Sequence, residues 1–72
     1  MFSEKVFCER LKALRSEMGI TQSTVATEMG TTKQTVSRWE RGDIEPSNAA
    51  LYALADYFNV STDYLLGRTD TP

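Results

Sequence analysis

The stretch that most constrains this chain is Thr21–Gly42, TQSTVATEMGTTKQTVSRWERG. It predicts two short helices joined by a tight turn. Gly30 sits at the corner, where a positive φ is least strained for glycine. Thr21 and Thr32 each stand just ahead of a helical pattern, and a threonine oxygen there accepts an N–H group that the first turn leaves unpaired. Val25, Ala26 and Met29 fall on one face of the first helix, and Val36 and Trp39 on one face of the second. Ala26 is small where the two helices would cross. The second helix then turns Lys33, Gln34, Ser37 and Arg38 outward. These side-chain types hydrogen-bond base edges and phosphates. Trp39 carries a ring able to stack on a base, but its shared face with Val36 assigns it to the core.

The rest of the chain supplies packing partners. Ser3 is placed to cap a first helix, with Glu4 in its first turn suiting the helix dipole. Phe7, Leu11, Leu14 and Met18 repeat as one apolar stripe, with Arg10, Lys12 and Arg15 beside or opposite it, and Gly19 ends the helix. Gly42–Pro46, GDIEP, reads as a turn, because Pro46 disfavours helical conformation at Glu45. Ser47 caps a fourth helix with Leu51, Leu54, Ala55 and Phe58 as its stripe, Ala50 nearby, and Tyr52 and Tyr57 toward the flanks. Asn59 is its expected stop. A short fifth helix follows cap Ser61, carries Tyr64, Leu65 and Leu66, and closes at Gly67. Three hydrophobic staples set the helix starts locally: Phe2 with Phe7, Ile20 with Val25, and Val60 with Leu65. The expected fold is all-α, a compact bundle of five helices over residues 1–67. Residues 68–72, RTDTP, have nothing to bury and are expected to fray.

Seventy-two residues make one domain with a small core. With a single cysteine, Cys8, no disulfide forms within the chain, and with no histidine a Cys/His zinc site is not available. No metal or cofactor is expected, and Cys8 reads as a reduced thiol on the first helix. No apolar run is long enough to span a membrane, and the start MFSEKVFCERLK lacks the apolar core of a signal peptide. A cytoplasmic location is the expectation. The net charge of −2 argues against a nucleic-acid partner, but its distribution argues otherwise. Thr31–Arg41 carries a net +2, so the remainder carries −4, much of it in Asp43, Glu45, Asp56, Asp63 and Asp70. Exposed charges more than about 10 Å apart are largely screened at moderate salt, so a locally basic face still docks on phosphate. No paired carboxylates, histidine or glycine-rich phosphate loop make a catalytic constellation, so no enzyme is expected.

In order and spacing, several segments together resemble the phage repressor and Cro-type (XRE-like) helix-turn-helix regulators. They are RLKALR at Arg10–Arg15, GITQ at Gly19–Gln22, VA at Val25–Ala26, MG at Met29–Gly30, TVSRWERG at Thr35–Gly42, Pro46, ALA at Ala53–Ala55 and NVSTDYLLG at Asn59–Gly67. The resemblance implies a lambda-repressor-like DNA-binding domain with Lys33–Glu40 as a recognition helix in the major groove. It places Lys33, Gln34, Ser37 and Arg38 at base-reading positions. Gln22, Thr32 and Arg41 fall at phosphate-side positions, and Ser47 and Asn48 offer a helix N-terminus to phosphate. It also points to a structural ion pair between Arg15 and Glu40. The loop after Gly42 departs from the pattern, carrying Asp43 and Glu45 where relatives often carry Lys or Arg.

The reading is a sequence-specific double-stranded-DNA-binding transcriptional regulator, in the repressor sense. The alternative is a protein-interaction module, antitoxin-like or adaptor, on the same fold, with the acidic second half as its partner surface. A weak homodimer that pairs on DNA is expected, with Tyr64 and Leu66 on its surface, because a helix as short as the fifth cannot bury Tyr64, Leu65 and Leu66 all at once.

Overall fold

Hydroxyl side chains start four of the helices. The computed structural model describes residues 4–72. Its helices are α1 (Glu4–Met18), α2 (Gln22–Met29), α3 (Lys33–Arg41), α4 (Asn48–Phe58) and α5 (Thr62–Leu65), with no strand among the described residues. Thr21, Thr32, Ser47 and Ser61 each hold extended backbone and accept the N–H of the residue three ahead through the side-chain oxygen. Each such cap stabilises by about 0.5–2 kcal/mol relative to alanine. The proposed cap Ser3 and the Phe2–Phe7 staple lie outside the described residues.

The helix ends follow the same local logic. Gly30 adopts φ 68°, and its left-handed turn lets α3 leave α2 at an angle. Asn59 ends α4 at φ 57°, a conformation its short polar side chain tolerates. Gly67 has a tertiary reason as well. It has φ +78°, and a Cβ there would come within 2.8 Å of Val6 Cγ1 on α1.

α2 packs on α3, α1 lies across α3 and reaches α5, and α4 joins α2 to α5. Every helix contributes to one core: Phe7 and Leu11, Val25 and Ala26, Val36 and Trp39, Leu54, Ala55 and Phe58, and Leu65. Ile20 and Val60, the residues before the caps of α2 and α5, pack against that core. Phe7, Leu11, Val25, Val36, Leu54 and Leu65 are wholly enclosed. Full burial of such a side chain stabilises by about 1.5–3 kcal/mol.

One expectation is corrected. Met18, the last member of the apolar stripe of α1, is 49% exposed. The chain turns at Gly19 with φ 67°, and Ile20 takes the place against the core, its N–H donating to the Arg15 carbonyl. Residues 68–72, expected to fray, make polar contacts with the rest of the fold. Arg10 donates to the Thr69 carbonyl and to Asp70, and Ser61 N–H donates to the Pro72 carbonyl at 3.0 Å. The acceptors are two backbone carbonyls and the Asp70 carboxylate, which an apolar pattern does not reveal.

Candidate nucleic-acid interface

The outward face of α3 is a consequence of its inward one. Val36 and Trp39 fix the helix on the core, and Glu40 is buried beside them. Glu40 is held from two sides. Arg15 of α1 grips both carboxylate oxygens, Nε to Oε2 at 2.8 Å and Nη2 to Oε1 at 3.1 Å. Gln22 of α2 donates Nε2–H to Oε1 at 3.0 Å. The third nitrogen of Arg15, Nη1, donates to the Ile20 carbonyl at 3.1 Å. One buried carboxylate thus ties α1, α2 and α3 together. Hydrogen bonding to Glu40 is the main cause that raises the Arg15 pKa above its ordinary value, so the guanidinium stays charged.

Beyond this anchor, Lys33, Gln34, Ser37, Arg38 and Arg41 line one open groove, which Gln22 borders at the start of α2. The side chains of Lys33, Gln34 and Arg38 are exposed and, among the described residues, have no hydrogen-bond or ion-pair partner. Gln22 commits one amide hydrogen to Glu40 and keeps a second for another acceptor. Thr32 stands at the N-terminus of α3, its oxygen accepting Thr35 N–H at 3.2 Å.

Ser47 and Asn48 lie apart from this group. Ser47 borders a separate concavity with Met29, Trp39 and Ile44. Its oxygen caps α4 through Ala50 N–H at 3.1 Å. Arg41 is engaged within the chain: Nε donates to Asp43 at 3.0 Å and Nη1 to Ser37 Oγ at 3.1 Å. On α5 and just after it, Tyr64 and Leu66 are half-buried, and the Arg10 guanidinium sits 4.1 Å above the Tyr64 ring centroid.

Thr35 is a further residue of this face, outside the set expected from the sequence. It lines the groove, and its hydroxyl lies 3.1 Å from that of Thr32. Its spacing three before Arg38 and three after Thr32 was the available signal. Among the described residues no group of three acidic, cysteine or histidine side chains could hold a metal, and no helix is long and apolar enough to cross a membrane.

Residues 11–65 match the profile of a helix-turn-helix family. The chain belongs to that family. This helix-turn-helix chain is 37% identical over 62 residues to the HTH-type transcriptional regulator ImmR of Bacillus subtilis, covering 86% of this chain and 49% of that protein. It is 36% identical over 58 residues to repressor protein C2 of Salmonella phage P22, covering 81% of this chain and 27% of the repressor. The chain therefore spans about half the length, or less, of these relatives. The P22 c2 repressor solved in complex with a synthetic operator superposes with a TM-score of 0.81 at 34% identity, over 85% of this chain and 92% of that one. The restriction-modification controller protein C.AhdI of Aeromonas hydrophila gives 0.78 at 29% identity, over 86% and 94%. The five-helix, all-α fold is that of the phage-repressor DNA-binding domains.

Proposed function

We propose that residues 1–67 form the sequence-specific double-stranded-DNA-binding domain of a cytoplasmic transcriptional regulator acting as a repressor, with α3 in the major groove. Lys33, Gln34, Ser37 and Arg38 read base edges: Gln34 suits adenine through its amide, and Lys33 or Arg38 suits guanine O6 and N7. Gln22, Thr32, Arg41, Ser47 and Asn48 hold phosphates and set the register. The chain performs no catalysis. Two copies pair on a two-fold site through the α5 end, Tyr64 and Leu66, with half-sites about 34–36 Å apart.

One observation carries the reading. Unpaired donors of the base-pairing type stand along one open face of a helix whose other face is fixed by Val36, Trp39 and the Arg15–Glu40–Gln22 network. A rigid mount with free donors is what base readout needs. The operator complex of the similar P22 repressor supports the same reading.

The test is selection of duplexes from a randomised library, followed by titration against the enriched site and its scrambled form at two salt concentrations. An enriched motif bound at least about a thousandfold more tightly than the scrambled duplex is expected. No enrichment, with the protein folded, would turn the reading toward the protein-interaction module.

A further inference from the structure

The basic groove is not uniformly available to DNA. Arg41 stands at the last position of α3, on the groove side, where a phosphate would meet it. Its guanidinium is already shared between two groups of the same chain. Nε forms an ion pair with Asp43 Oδ2 at 3.0 Å, and Nη1 donates to Ser37 Oγ at 3.1 Å. The left-handed turn at Gly42 (φ 78°) brings Asp43 back beside Arg41, and Asp43 N–H closes that turn on the Arg38 carbonyl at 3.0 Å. The competitor is thus fixed by backbone geometry. Lys33 and Arg38, by contrast, face no carboxylate among the described residues.

We propose that Asp43 is a built-in competitor for DNA phosphate: it holds Arg41 in the free protein, and Arg41 becomes a phosphate ligand only by exchanging the Asp43 carboxylate for phosphate. The inference rests on the DNA-binding reading above. The Arg41 side chain is 61% exposed and that of Asp43 is 53% exposed, so the pair is weak enough to be exchanged. A phosphate oxygen presents the same acceptor geometry to guanidinium as a carboxylate does. While Arg41 donates to Ser37, it also occupies a lone pair of the serine oxygen and leaves the hydroxyl hydrogen available to another acceptor. The result is a lower sequence-independent share of the affinity. The complex then depends more on Lys33, Gln34 and Arg38, and binding to arbitrary DNA stays weak.

The experiment measures fluorescence anisotropy of a labelled random-sequence duplex titrated with the wild type, Asp43→Asn, Arg41→Ala, the Arg41→Ala/Asp43→Asn double variant and Glu45→Gln. Glu45 lies exposed in the same loop and controls for the change of charge alone. Asp43→Asn is expected to tighten binding by up to about fivefold, the upper limit to which an exposed ion pair converts. Arg41→Ala should flatten the plot of log affinity against log salt by about 0.9, the mark of one lost phosphate contact, while Asp43→Asn keeps the wild-type slope. The gain should vanish in the Arg41→Ala background, and Glu45→Gln should give less than Asp43→Asn. An equal gain from Glu45→Gln, or a gain from Asp43→Asn that persists without Arg41, shows a general charge effect and overturns the inference alone. No binding by any folded variant at low salt overturns the inference together with the DNA-binding reading.

Discussion

Replacing Arg15 with methionine is expected to destabilise the domain more than replacing its partner Glu40 with leucine. The asymmetry follows from burial. The Glu40 side chain is 4% exposed and that of Arg15 is 21% exposed. Arg15→Met strands a carboxylate in the interior with only the Gln22 amide as donor. Glu40→Leu leaves a guanidinium that keeps its bond to the Ile20 carbonyl and can reach water. Removing one member of a buried pair costs about 3–5 kcal/mol. Arg15→Met belongs in the upper part of that range, and Glu40→Leu at about 3 kcal/mol or below. A chain of 72 residues has roughly 4–11 kcal/mol of stability in all. Each kcal/mol shifts its Tm by about 4–8 °C. The Arg15→Met/Glu40→Leu double variant strands no charge and is expected close to the wild type, since apolar replacement of a buried pair is often neutral. Urea unfolding near 15 °C, roughly where stability is greatest, gives the double-mutant cycle. A coupling energy within about 0.5 kcal/mol of zero, or Glu40→Leu at least as damaging as Arg15→Met, would refute the argument.

Other perturbations separate the remaining roles. Arg38→Ala and Gln34→Ala should each cost about 1–3 kcal/mol on the selected site and relax preference at one base position; equal losses on scrambled DNA would make them phosphate ligands instead. Thr32→Ala should cost about 0.5–2 kcal/mol of stability through the lost cap on Thr35 N–H. It should also weaken binding evenly across sequences, read by thermal melting and titration. Gln22→Ala should weaken binding about uniformly, with an added stability loss of about 1–3 kcal/mol as Glu40 loses a donor. Tyr64→Ser should abolish cooperative binding to a two-half-site duplex in analytical ultracentrifugation while leaving half-site affinity intact; unchanged cooperativity would move the dimer surface elsewhere.

The helices were legible because their signals are local. A hydroxyl three residues ahead of the N–H it accepts, a glycine or asparagine at the end, and an apolar stripe between are all read within one segment. That sufficed for Thr21, Thr32, Ser47 and Ser61, for Asn59, and for the burial of Trp39. The outward set on α3 followed from the inward one. What the pattern missed depends on distant partners. The Arg10 contacts to Tyr64, Thr69 and Asp70 join opposite ends of the chain, and nothing around Arg10 itself announces them. Met18 fitted its stripe, yet the stripe outlasts the core it faces. Asp43 stood out as an acid in a loop expected to be basic, but its ion pair with Arg41 follows only from the left-handed turn at Gly42. Family resemblance points to the Arg15–Glu40 pair, but nothing in either segment places Gln22 on the same carboxylate.

The most direct test of the account is the set of nuclear Overhauser contacts between the labelled domain and its selected duplex. The major groove carries the cytosine H5 and thymine methyl protons, and the minor groove carries neither. Contacts from the side chains of Lys33, Gln34, Ser37 and Arg38 to those protons are the predicted result. Contacts confined to sugar protons, or arising from α4 and α5 while α3 stays silent, would contradict the claim that α3 reads bases in the major groove.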